Sequence, residues 1–329
     1  MQVNPHGASC DTVGAMTDPG RHKSERLLAA CKGLASVPAA IAHPCDAESL
    51  QGAAEAARAG LVRPILVGPA ARIRAAAAEA SIDLSGFPIV DTPHSHASAA
   101  EAVRLVRKGE AQLLVKGSLH TEELMGAVVD AENGLRTARR ISHCYVMDVP
   151  LLDDLIIITD AAVNVAPTLA EKVDIVQNAI DFARALRFGE VRVAILAANE
   201  YVNPRIASTL EAAALCKMAD RGQITGAILD GPLALDNAIS LKAARIKLID
   251  SAVAGRANVL VVPDLEAGNM LAKSLSFLAG ADAAGVVLGA KVPIVLSSRA
   301  DQPRSRLVSC AAALLLAHAR RTDPGRAIT

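Results

Sequence analysis

DDLIIITDAA, residues 153–162, is a nearly continuous apolar run that ends in aspartate and alanine. It is too short for a helix and rich in β-branched isoleucine, so it reads as a strand buried on both faces. TLAEKVDIVQNAIDFARAL, residues 168–186, follows it with the spacing of a helix. The same alternation extends in both directions. RPILVGP (63–69), AQLLVKGS (111–118), SHCYVMDVP (142–150), VRVAILAAN (191–199), ITGAILDGP (224–232), ANVLVVPD (257–264), AAGVVLGA (283–290) and VPIVLSSR (292–299) read as strands. Helical text lies between them at 46–60, 97–110 and 208–222. Strand and helix in regular alternation predict an α/β fold with mainly parallel sheets and flanking helices. In such folds ligands bind at the carboxyl ends of strands.

Composition narrows the possibilities. A chain of 329 residues, 52% of them hydrophobic, can bury a large core and suggests two domains more readily than one. Thirty-four basic residues balance thirty-four acidic ones, so no overall field draws the chain to nucleic acid or to an anionic membrane. No apolar stretch reaches the roughly 18 residues needed to span a bilayer, and the N-terminus lacks the apolar core of a signal peptide. A cytoplasmic protein without membrane or nucleic-acid partners is expected, with residues 1–23 disordered. Cys10, Cys31, Cys45, Cys144, Cys216 and Cys310 are widely spaced and form no CxxC pair, which argues against zinc and against a disulfide framework.

No Gly-rich dinucleotide fingerprint, P-loop or GxSxG elbow follows any strand. With 2% aromatics and no Trp, stacking platforms for bases or sugars are poor candidates. Polar clusters after the strands remain. LVKGSLHTEEL places Lys116, Ser118, His120 and Thr121 at a strand-to-helix turn, where they either hold a phosphate at the helix's positive end or simply cap it. Arg136, Arg139 and Arg140 form a basic cluster. Asp230, Asp236, Asn237, Asp264, Glu266 and Asn269 follow later strands. SSRADQPRSR, residues 297–306, packs three arginines between an apolar run and an apolar helix, and such density needs partners.

These segments together resemble a known family. VKGSLHTEELM (115–125), GLRTARRISHCYVMDVP (134–150), ITDAAVNVAPTLAEKVDIVQNAI (158–180), AAALCKMADRGQITGAILDGPLALDNAIS (212–240) and residues 262–301 occur in the order seen in phosphate acetyltransferases and phosphate butyryltransferases. The resemblance runs from about residue 39 to 321. It implies reversible transfer of a short acyl group between coenzyme A and inorganic phosphate, with acetyl favoured and butyryl the alternative. It further implies acyl-CoA, phosphate and acyl phosphate as substrates, no tightly bound cofactor, no metal, and a homodimer. A non-catalytic acyl-CoA-sensing module is the reading from a different class.

The family also implies two α/β domains around a cleft, similar to the isocitrate and isopropylmalate dehydrogenases. Here they would comprise residues 24–152 plus 300–329, and residues 153–299. Ser298 and Arg299 match the family's Ser-Arg pair, which implies that Arg299 binds phosphate and stabilises the charge developing at the thioester carbonyl while Ser298 donates a hydrogen bond. A family aspartate acts as base toward the CoA thiol; its place is taken here by Ser305 and Arg306, and the nearest carboxylate is Asp301. An arginine that longer relatives carry after their His-Thr motif is replaced by Gly126 and Ala127. Lys116, Arg136, Arg139 and Arg140 are therefore the candidates for the CoA phosphates.

Overall fold

A computed structural model describes residues 23–296 and 302–322. The strands are β1 (Val37–Ala42), β2 (Val62–Gly68), β3 (Ile89–Asp91), β4 (Leu113–Lys116), β5 (Ser142–Asp148) and β6 (Ile156–Thr159). They continue with β7 (Arg192–Leu196), β8 (Ile228–Leu233), β9 (Val259–Val261), β10 (Asp282–Leu288) and β11 (Ile294–Val295). The helices begin with α1 (Glu25–Ala30), α2 (Ala47–Arg58), α3 (Ala70–Glu79), α4 (Ser95–Arg107), α5 (Thr121–Val129) and α6 (Leu169–Ala185). They end with α7 (Ala207–Asp220), α8 (Leu235–Ile239), α9 (Leu241–Ile246), α10 (Leu265–Leu278) and α11 (Pro303–Thr322).

Local chemistry starts these helices where the strands release the chain. Thr168 and Glu171 exchange hydrogen bonds across the first turn of α6, a capping box. Asp46 accepts from Ser49 N at 2.9 Å to open α2, and Asp264 accepts from Ala267 N at 2.9 Å to open α10.

The described strands form one sheet in the order β3-β2-β1-β4-β11-β10-β5-β6-β9-β7-β8. Its centre is antiparallel: β10 pairs with β5 from Asp282↔Asp148 to Leu288↔Ser142, and β10–β11 and β5–β6 are antiparallel as well. The outer pairings are parallel. It follows that β1 to β5 and β11 run one way while β6 to β10 run the other. Carboxyl ends in the two halves thus lie at opposite edges of the sheet.

One face carries a continuous core from Leu27, Ile41 and Leu66 through Leu155 and Phe182 to Val193 and Leu314. Opposite it lie two separate cores. Leu114, Val287 and Ile294 pack with Val103 of α4 and Leu124 of α5, whereas Met147, Ile158 and Leu260 pack against Ala267 and Leu271 of α10. α11 lies on the continuous side against α1, α2, α6 and β10.

Of the segment expected to be disordered, residues 1–22 lie outside the described residues. Lys23 is held: its Nζ donates to Val149 O at 2.7 Å and pairs with Asp148 Oδ1 at 3.0 Å.

Leu314 is fully buried on α11, so Leu314→Ala is expected to destabilise the fold by about 2–5 kcal/mol in denaturant unfolding. Leu151→Ala, at a side chain 87% exposed, is expected to change stability by less than about 0.5 kcal/mol.

Candidate active site

The gap between the two cores of the divided face is floored by β5 and β10. Alternation puts Cys144 and Val146 into the continuous core, so His143 and Tyr145 face the gap. Gly285 pairs with Tyr145 across the sheet. A Cβ on Gly285 would stand 2.8 Å from His143 Nε2 and 2.9 Å from Leu296 O, so the imidazole occupies space that any other residue would take. The His143 and Tyr145 rings meet edge to face, centroids 4.3 Å apart.

His143 is 1% exposed, and among the described residues its buried Nδ1 has no hydrogen-bond partner. Burial pushes its pKa down to about 4, against the opposing pull of Asp160, so the ring is neutral at pH 7. A neutral imidazole can donate a hydrogen bond to an acceptor without adding a charge to the floor. Asp160, just past β6, accepts from the backbone N–H groups of His143, Ala162, Val163 and Asn164 and from Asn164 Nδ2. That carboxylate fixes the loop leaving β6 to the start of β5.

A cavity of about 400 Å³ opens beside this floor, with Tyr145, Asn269, Lys273, Asp282, Gln302 and Ser305 among its lining. Asn269 is the sequence candidate found there, its Nδ2 donating to Ala161 O at 3.3 Å. Leu296 and Gln302 flank residues 297–301. Ser298, Arg299 and Asp301 therefore lie outside the described residues.

The other candidates divide between the two sheet edges. Lys116 ends β4, is 7% exposed, and lies where β4 and β11 run together at Val115↔Val295. Ser118 Oγ donates to His43 O at 2.7 Å and accepts from Cys45 N at 3.1 Å, tying the turn after β4 to the turn after β1. Glu123 accepts from His120 N at 2.8 Å as α5 begins, and Thr121 is the first residue of that helix. Capping accounts for these local bonds, and the exposed side chains of His120 and Thr121 face outward from the turn.

At the opposite edge Arg136, Arg139 and Arg140 line a cleft of about 680 Å³ with Asn164, Glu171 and Asp174. Arg139 pairs with Asp181 at 2.6 Å, and Arg140 reaches Glu171 at 2.9 Å and Asn164 Oδ1 at 2.8 Å. Asp230 caps its own Gly231 N at 2.8 Å, and the buried Asn237 donates to Glu200 at 3.1 Å; both serve local structure in the β8–α8 segment. Among the described residues no three His, Cys, Asp or Glu side chains converge as a metal site.

His143, Tyr145 and Asp160 are the residues that motif reading passes over. The signal for His143 and Tyr145 is a ring-bearing polar side chain at every second residue inside an apolar strand, SHCYVMD, which marks a face turned from the continuous core.

Residues 94–314 match the family described as "Phosphate acetyl/butaryl transferase". The chain belongs to this family. It is 62% identical over 299 residues to the phosphate acetyltransferase of Rhizobium meliloti, covering 91% of this chain and 95% of that one. The phosphate butyryltransferase of Clostridium acetobutylicum is 39% identical, covering 84% of this chain and 92% of its own length. The crystal structure of a branched-chain phosphotransacylase from Enterococcus faecalis superposes with a TM-score of 0.75 at 31% identity, covering 86% of this chain and 99% of that one. The segments on which the resemblance was read fall on both walls of the gap and on its floor: 115–125 contains the Lys116 turn and the start of α5, 262–301 contains α10 with Asn269, and 134–150 contains β5 with His143.

Since His143 has a folded pKa of about 4 against an ordinary 6.5, the unfolded chain binds the extra proton between those values. Stability is therefore expected to fall as pH drops from about 6.5 to 4, by on the order of 3 kcal/mol from this residue, and not to change on its account above 6.5. Chemical denaturation across that range checks it: His143→Gln should flatten the acid limb if the variant folds, and NMR titration of the His143 ring should show it neutral at pH 5.

Proposed function

We propose that the chain transfers a short acyl group reversibly between coenzyme A and inorganic phosphate in the gap floored by His143, Tyr145 and Gly285. The observation that carries this reading is the family match over residues 94–314, and its placing in the gap is supported by the interruption of apolar packing between the two cores of that sheet face among the described residues. Coenzyme A enters as a substrate. A phosphate oxygen attacks the thioester carbonyl, the C–S bond breaks, and the sulfur leaves with a proton to give acyl phosphate and free thiol.

Arg299 neutralises phosphate and the developing oxyanion, Ser298 donates a hydrogen bond, and Asp301 exchanges the thiol proton, acting as base in the CoA-acylating direction. Support for these roles comes from the match of Ser298 and Arg299 to the family's Ser-Arg pair, in the segment that follows β11 in sequence. Lys116, Ser118, His120 and Thr121 bind substrate at one end of the gap, with Asn269 on its wall. The cleft of Arg136, Arg139 and Arg140 takes the CoA phosphates at the other edge, with Asp230 and Asn237 shaping that side. Two bodies, residues 24–152 with 300–329 and residues 153–299, close on the substrates as a homodimer in the cytoplasm. Closure would keep water from the acyl phosphate. Acetyl is the favoured acyl group, in line with the identity to the acetyltransferase named above.

Phosphate-dependent release of CoA thiol from acetyl-, propionyl- and butyryl-CoA tests the reading. Turnover is expected to be highest with acetyl-CoA, and Arg299→Ala is expected to lower kcat by roughly 100-fold or more. Absence of thiol release with all three substrates contradicts the proposal.

A further inference from the structure

Tyr145 is held where its ring cannot sink into the floor. Against it, edge to face with 4.3 Å between centroids, stands the His143 ring, which is 1% exposed and fills the space over Gly285. Tyr145 also lines the cavity of about 400 Å³ beside the floor. Three alanines share that lining. Ala283 lies two positions before Gly285 on β10, on the same face of the strand, while Ala272 and Ala281 are 4% and 7% exposed. A phenol ring and three methyl groups give the cavity a largely apolar inner surface, to which the buried Ser305 adds one hydroxyl. Its rim is polar: Lys273 and Gln302 are exposed there, with Asn269 half-buried between rim and floor.

The cavity adjoins both flanks of the segment to which the proposed chemistry belongs. Leu296 O lies 2.9 Å from where a Cβ on Gly285 would stand, and Gly285 pairs with Tyr145 across the sheet. Gln302, on the other flank of residues 297–301, lines the cavity itself. A group that reacts between those flanks has this cavity beside it. The volume lies near the lower end of the range for ligand pockets, which suits the thioester end of an acyl-CoA and not the whole molecule.

We infer that Tyr145 sets the length of the acyl group: the acyl carbons lie against its ring and the methyl groups of Ala272, Ala281 and Ala283, while the amide-bearing arm of coenzyme A passes the polar rim. This role rests on the acyl transfer proposed for the gap. An acetyl methyl stops short of the ring. Each further methylene has to displace it, and His143 behind the ring blocks its retreat. One methylene in an apolar pocket discriminates by roughly 10- to 200-fold in kcat/KM, so one aromatic wall is enough to separate acetyl from butyryl.

The test is the ratio of kcat/KM for butyryl-CoA to that for acetyl-CoA in phosphate-dependent thiol release by the full chain, because a change that merely disturbs the site lowers both alike. Tyr145→Ala is expected to raise this ratio roughly tenfold or more, and Tyr145→Phe, which keeps the ring, to leave it within about twofold of the wild type. Ala283→Leu adds carbons to the same lining from β10; it is expected to lower the ratio roughly tenfold and does not depend on the folding of a Tyr145 variant. An unchanged ratio in Ala283→Leu, or in a folded Tyr145→Ala, with acetyl-CoA still turned over, overturns the role of Tyr145 and leaves acyl transfer standing. A wild type that prefers butyryl-CoA to acetyl-CoA does the same. Absence of thiol release from either substrate with the wild type contradicts acyl transfer, and the role of Tyr145 falls with it.

Discussion

Everything in this molecule depends on the antiparallel pairing of β10 with β5. Those seven residue pairs, from Asp282↔Asp148 to Leu288↔Ser142, join two parallel half-sheets that run in opposite directions. Hydrogen bonding continues without a break across the junction, so one face can carry a single core sealed by α6 and α11. Helices of the other face belong to one half or the other, α4 and α5 on one side and α10 on the other, and they do not meet over the junction. The gap is a consequence of that arrangement.

The floor shows how such a place is furnished. Gly285 gives up its side chain so that the His143 ring can stand beside Leu296 O. Tyr145 packs on the imidazole edge to face, and Asp160 gathers four backbone N–H groups that hold the neighbouring loop. A neutral histidine in this setting is a hydrogen-bond donor without charge, which is compatible with the substrate site proposed above.

Much of this was legible in the sequence, and for identifiable reasons. The run 153–162 contains β6, whose four residues are all buried, and 168–186 contains α6, because burial on both faces and helical spacing are local properties. β1 escaped: VPAAIA is alanine-rich and short of β-branched residues, and it is a strand because β2 and β4 pair with it on both sides. The reversal at β5 and β10 escaped too, since strand direction is set by long-range pairing and leaves no mark in hydrophobic pattern. That reversal sends the Lys116 turn after β4 and the Asp160 loop after β6 to opposite edges of the sheet, whereas a uniformly parallel sheet would have put strand-end loops together. His143 was hidden inside a strand that motif reading treats as core.

The central claim is that substrates lie in the gap between the two cores of the divided face. Hydrogen–deuterium exchange of the full chain with and without coenzyme A tests it most directly. Protection by coenzyme A is predicted in segments 116–121, 142–146 and 265–273, which line the two walls and the floor. Protection confined to α7 and the outer surface of α11, with those three segments unchanged, would contradict it.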